Sequence, residues 1–152
     1  MSARELAEPY PHVVTDDDAR DAARLLVERR LPALLVVDRE GRPYAAVPGS
    51  QLIGPLLPPD ALTDPRYGAG LDARDLDGAL ERLAGLTVAE WLPRHRTRAP
   101  AVTTEASATH VTTLMARTHV PLVAVVERDG DRSRLVSAVT AARLMERLVG
   151  GT

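Results

Sequence analysis

The sequence predicts an α+β fold in which two β-α-β-β-α repeats pack with pseudo-twofold symmetry. Three observations carry that prediction. Slid on itself by 89 residues, the chain aligns Val13–Arg42 with Val102–Asp131 without a gap, and nine of the thirty positions are identical. Each copy spells the same order of apolar runs, capping residues and turn residues. The size and composition, 152 residues with 45% hydrophobic and 26% charged, suit two half-size units sharing one core.

The identities are Val13/Val102, Thr15/Thr104, Ala19/Ala108, Leu25/Leu114, Pro32/Pro121, Val36/Val125, Val37/Val126, Arg39/Arg128 and Gly41/Gly130. After a longer second turn the register resumes at an offset of 92, pairing Val47 with Val139 and Leu52 with Leu144.

Each copy opens on a short apolar strand, Val13-Val14 or Ala101-Val102, followed by Thr15-Asp16-Asp17-Asp18 or Thr103–Ser107. Those side-chain oxygens suit the unpaired amides of a helix start. Ala19, Ala22, Ala23, Leu26 and Val27 then recur with helical spacing, and Ala108, Val111, Thr112, Met115 and Ala116 repeat the phase. Pro32 and Pro121 end these helices, and Ala33–Val37 and Leu122–Val126 have the length and branching of buried strands. Turns at Asp38–Gly41 and Glu127–Ser133 return the chain into strands Pro43–Val47 and Leu135–Val139. A second helix is expected to close each copy, over Gly49–Leu57 and Thr140–Val149. Short lead-in helices are expected at Ala3–Ala7 and, with Trp91, at Thr87–Leu92. The expected organisation is a first repeat over 1–60 with its lead-in helix, a connector over 61–85 with a helix across Leu76–Leu83, and a second repeat over 86–152.

Composition removes several function classes. Cysteine is absent, which excludes disulfides, thiol catalysis and thiolate metal sites. All 19 basic residues are arginine; lysine, asparagine and phenylalanine do not occur, and Ile53 is the sole isoleucine, a pattern expected of a high-GC bacterial genome. Arginine abundance is therefore partly a codon effect. A net charge of -2 and 3% aromatic residues argue against a nucleic-acid groove with base-stacking platforms. No run approaches the roughly eighteen apolar residues of a membrane span, and Met1–Pro11 carries Arg4, Glu5 and Glu8 in place of an apolar signal core. The expectation is a cytoplasmic protein with no membrane insertion.

The residues Leu31–Asp38 with Gly41, Val120–Val126 with Gly130, and Ser137–Leu144 resemble a tandem pair of CBS domains, the arrangement called a Bateman module. The stretch Tyr44–Gln51 is similar to stand-alone CBS pairs of high-GC bacteria. The resemblance implies a non-catalytic regulatory sensor that binds adenosine nucleotides in clefts between the copies and signals in trans to a partner such as a transporter or an enzyme. It also implies a homodimer formed through apolar helix faces, here Leu52, Ile53, Leu56 and Leu57 with Leu144, Leu148 and Val149. The alternative is a ligand-free interaction or oligomerisation module.

The family's ligand motif is Gly-apolar-apolar-Thr/Ser, two residues, then Asp, whose hydroxyl and carboxylate accept hydrogen bonds from a ribose. Carried over, the second copy keeps Val139 and Thr140 but has Arg143 at the acid position, and the first copy has Pro48 and Gln51. Neither copy keeps the ribose-reading acid. An arginine donates only, so Arg143 shifts the expected preference from ribose to anion, and the Thr140 cleft is expected to fill before the Pro48 cleft. Thr15, Thr104 and His119 complete the expected ligand-binding set.

Other features read as structural. His12, His95, His110 and His119 have no metal-ligand spacing, and neither a metal nor a cofactor is expected. Asp16–Asp18 precede a helix, where they compensate its dipole. Arg94-His95-Arg96-Thr97-Arg98 is the densest positive run and reads as a solvated loop, its functional alternative being an anion contact. Gly68-Ala69-Gly70 does not follow a strand and fails the context of a dinucleotide loop.

Overall fold

A computed structural model describes residues 1–58, 78–96 and 98–150. The first copy contains α1 (Ala3–Leu6), β1 (Val13–Val14), α2 (Ala19–Glu28), β2 (Ala33–Val37) and β3 (Pro43–Pro48). The second contains α3 (Val88–Trp91), β4 (Ala101–Thr103), α4 (Ala108–Thr118), β5 (Leu122–Asp129), β6 (Arg132–Thr140) and α5 (Ala141–Val149). Each copy forms a three-stranded sheet in sequence order, its first pair parallel and its second antiparallel. The α+β prediction matches this architecture, and the duplicated order holds except for the helix expected to close the first copy.

Alternation along the central strands divides the core into three parts. Leu34 and Val36 face α2, in a cluster with Ala19, Ala22, Ala45 and Val47. Val123, Val125 and Val139 face α4 and α5 with Val111 and Leu144. The other strand faces, Ala33, Leu35 and Ala46 against Leu122, Ala124 and Ala138, meet as the seam between the two sheets. Four of these six residues are alanine, which lets the two sheets approach closely. Both sides of β2 are covered, which is why it reads as an unbroken apolar run.

Three expectations are corrected. Gly49–Leu57 is not an α-helix but two 3-10 turns, Gly49–Gln51 and Gly54–Leu56. Gly49 and Gly54 lower helix propensity, and Pro55 lacks the amide a continuous helix needs. The hairpin of the second copy has no long turn: β5 and β6 pair through Glu127↔Arg134, Arg128↔Ser133 and Asp129↔Arg132, leaving Gly130-Asp131 at the tip. Gly130 has φ +65°, which suits the tight hairpin turn. Leu52 and Leu144, expected on exposed faces, are 2% and 5% exposed and belong to the core: the phase of α5 turns Leu144 inward, and Leu52, at the end of the Gly49–Gln51 turn, packs with Trp91 and Val47 in the first cluster. Of the connector helix expected over Leu76–Leu83, a 3-10 turn covers Leu80–Leu83; residues 76 and 77, and Gly68-Ala69-Gly70, lie outside the described residues.

The lead-in helices are exchanged between the copies. α1 precedes the first copy but packs on the second: Ala3 and Leu6 join the cluster of Val111 and Val125, and the Ala3 N–H donates to the Ala106 carbonyl at 2.7 Å. α3 precedes the second copy but packs on the first: Val88 and Trp91 join the cluster of Val36 and Val47, and the Val88 N–H donates to the Asp17 carbonyl at 2.8 Å. Thr87 and Glu90 form a reciprocal capping box at the start of α3.

Candidate functional site

The candidate residues of the second copy lie where β6 runs into α5. Thr140 stands in an extended conformation as N-cap, and its Oγ1 accepts from the Arg143 N–H at 3.1 Å. Arg143 follows in the first turn and is half-buried. Its Nε lies 3.7 Å from Glu8 Oε1 and its Nη1 3.7 Å from Glu146 Oε2, and the buried Nε makes no hydrogen bond. Glu8 is brought there by the segment after α1, whose backbone exchanges hydrogen bonds with Ala138 at 2.9 and 3.1 Å.

Tyr10, two residues on, reaches across to the first copy. Its hydroxyl donates to the Ala33 carbonyl at 2.6 Å, and its ring packs against the seam beside Leu135. Burial raises the Tyr10 pKa, an effect the Ala33 N–H partly opposes. Sequence reasoning did not select Tyr10 or Glu8, because only the docking of α1 on the other copy brings them to the cleft.

The remaining predicted residues are dispersed. Val139 is fully buried with its side chain in the core under α5. His119 is exposed and forms the C-cap of α4 with φ +56°, a left-handed position reached one residue before Val120. Thr140 pairs with Leu122 at one end of β5, whereas Thr103, just before Thr104, pairs with Val126. Four residues of strand, about 13 Å, therefore separate Thr104 from Thr140 along the sheet. The first copy repeats this: Pro48 pairs with Ala33, while Val14, next to Thr15, pairs with Val37.

Gln51 lines a cavity of about 590 Å³ with Leu57, Trp91, Leu92 and Arg94. Pro48 supplies neither hydroxyl nor N–H there, and the Trp91 indole N–H donates to the Leu52 carbonyl at 3.2 Å. Next to it, a cavity of about 520 Å³ is lined by Arg42, Tyr44, Arg94, Arg96, Arg98 and Asp38. The positive run noted in the sequence thus meets Arg42 from a distant turn. Among the described residues no cluster of His, Asp or Glu is arranged to hold a metal, and no helix is long and apolar enough to cross a membrane.

Comparison with known proteins agrees with this architecture. A family model described as "CBS domain" matches residues 3–47. A CBS domain-containing protein of unknown function from Kribbella flavida DSM 17836 is 38% identical, with 98% of this chain and 99% of that one covered and a TM-score of 0.85. CBSX2, solved in complex with AMP, is 17% identical over 98% of this chain and 97% of its own, with a TM-score of 0.66. The CBS domain of a CBS domain-containing membrane protein from Sphaerobacter thermophilus is 20% identical over 96% and 86%, with a TM-score of 0.67. No curated protein matches the sequence.

Proposed function

The chain belongs to the CBS-domain family, and on that premise we propose that it is a non-catalytic regulatory module whose second cleft binds an anionic small ligand. An anionic adenosine nucleotide is the leading candidate, since the similarly folded CBSX2 is known in complex with AMP. The observation that carries this reading is Arg143: a half-buried guanidinium, its Nε without a hydrogen-bond partner, in the first turn of a nine-residue helix. Helix dipole and guanidinium there act in the same direction, toward negative charge. Glu8 and Glu146, each 3.7 Å away, are exposed enough to swing aside for a ligand. The ligand's effect is passed in trans to a partner protein, a transporter or an enzyme, by a cytoplasmic homodimer.

Calorimetric titration with AMP, ADP, ATP and adenosine tests this. The phosphates should bind and adenosine should not, and Arg143→Ala should weaken phosphate binding about tenfold or more, the scale of a charge-assisted hydrogen bond. Equal binding of adenosine, or a silent Arg143→Ala change, would remove the reading.

A second reading is a ligand-free interaction module. It is favoured by Tyr10, whose ring packs against the seam and whose hydroxyl is committed to Ala33. Absence of thermal stabilisation by any of a broad nucleotide and metabolite panel supports it over the first.

A further inference from the structure

Away from Thr140 and Arg143, four arginines converge on one cavity. Arg42 comes from the turn between β2 and β3; Arg94, Arg96 and Arg98 come from the segment between α3 and β4. That segment is an addition to the repeat. The backbone bonds of Ala3 and Val88 make them equivalent, 85 residues apart, whereas the strand residues Val13 and Val102 stand 89 apart. The second copy therefore carries four extra residues between lead-in helix and strand. The first copy's counterpart, Ala7–His12, holds no arginine.

Arg42 is paired, with Asp38 at 2.8 Å and Glu40 at 3.3 Å, whereas the other three arginines lack an acidic partner among the described residues. Among the described residues Asp38 is the only carboxylate lining the cavity, and its oxygens already accept from the Glu40 N–H at 2.9 Å, the Arg42 N–H at 3.0 Å and Arg42 Nε at 2.8 Å. Among the described residues, Arg94, Arg96 and Arg98 have no carboxylate within ion-pair distance. Arg96 is nevertheless fixed: it stacks 4.6 Å over the Tyr44 ring, contacts the Tyr44 hydroxyl and donates to the Pro93 carbonyl at 3.3 Å. A guanidinium already held in place loses less freedom when an anion arrives.

We propose that this cavity is a binding site for a small ligand bearing two or more adjacent phosphate groups. A single phosphate would leave much of the roughly 520 Å³ empty and part of the charge unneutralised. Arginine forks pair bidentately with phosphate oxygens, and a chain of phosphates spans forks arriving from two different segments. Nucleic acid fits less well, because Arg96 covers the Tyr44 face on which a base would stack. The site is independent of Arg143.

Calorimetry on the full chain at low salt with pyrophosphate, tripolyphosphate, orthophosphate and ATP tests the assignment. Pyrophosphate and tripolyphosphate should bind at one site per chain, about tenfold or more tighter than orthophosphate, and weaken as salt rises. The double change Arg94→Gln and Arg98→Gln, confirmed folded by circular dichroism, should reduce that affinity about tenfold or more, while Arg143→Ala should leave it unchanged. Measured in the Arg143→Ala protein, so that the cleft does not contribute, ATP binding no tighter than tripolyphosphate identifies a bare phosphate chain as the feature recognised, and tighter ATP binding identifies a nucleoside polyphosphate. The proposal is overturned if orthophosphate binds equally, if no polyphosphate binds at millimolar concentration, or if a single-stranded oligonucleotide outcompetes tripolyphosphate. Loss of binding in Arg143→Ala with retention in the double variant would also overturn it, by moving the ligand to the cleft.

Discussion

The Tyr10 hydroxyl and the Ala33 backbone form a two-way contact: the hydroxyl donates to the carbonyl at 2.6 Å and lies 3.4 Å from the Ala33 N–H. A side chain from the N-terminal segment thus satisfies the first residue of β2, at the seam between the sheets. Tyr10→Phe keeps the ring and removes the bond, and is expected to cost about 1 kcal/mol. Because the folded-state Tyr10 pKa is raised above its ordinary value of 10.0, its contribution is fully present below pH 10.0 and is lost as pH rises through the higher folded value. The stability gap between wild type and Tyr10→Phe should therefore be flat through neutral pH and narrow in strong alkali. Denaturant titrations at several pH values measure it, and a gap that widens in alkali contradicts the assignment.

Exchange of the lead-in helices makes a directional prediction. Trp91 is 3% exposed and belongs to α3, yet its contacts and its indole bond to Leu52 lie with the first copy. Trp91→Ala should cost about 3 to 5 kcal/mol, as large aromatic deletions do. Amide exchange should then rise first in β1–β3. A rise confined to β4–β6 would mean that α3 serves its own copy.

Much of this fold was legible because its signals are local. Ala33–Val37 is a strand with the bounds its branched apolar run suggests, and Thr140 caps α5 as a hydroxyl at a strand-to-helix junction should. The 3-10 turns at Gly49–Gln51 and Gly54–Leu56 were missed because Leu52 and Leu56 keep a helical spacing that Gly54-Pro55 interrupts. The docking of α1 on the second copy has no local signature, since Ala3 and Leu6 would be equally apolar against either sheet. That is also why Tyr10 and Glu8 escaped notice. The Arg94–Arg98 run was visible in the sequence, but its meeting with Arg42 depends on how the β2–β3 turn is placed.

Self-association is expected through apolar residues that the monomer leaves outside. Met145, Leu148 and Val149 on α5 are 57%, 52% and 74% exposed, and Ile53 is 51% exposed. A symmetric dimer buries such a patch against its own copy. Light scattering should report a dimer at micromolar concentration, and Leu148→Asp with Val149→Asp should shift it to monomer without unfolding it. A wild-type monomer across that range would refute the dimer.

Asp38 makes the first hairpin acid-sensitive. Partial burial alone would raise its pKa, but the backbone N–H groups of Arg42 and Glu40 and the Arg42 guanidinium together hold it below the ordinary 3.8. These bonds fix the Asp38–Gly41 turn, where Gly41 has φ +83° and donates its N–H to the Asp38 carbonyl at 3.0 Å. A depressed carboxylate stabilises the fold fully above its unfolded pKa and ceases to do so as pH falls through the folded value. Asp38→Asn keeps an acceptor for the two amides and loses the ion pair, so it should cost about 1 kcal/mol at neutral pH. That cost should stay constant down to the ordinary carboxylate range and shrink below it, because the wild-type group is then itself protonated. Urea denaturation of both proteins from neutral pH to strong acid measures the difference. A cost that persists undiminished in strong acid would assign the effect to side-chain geometry, not charge.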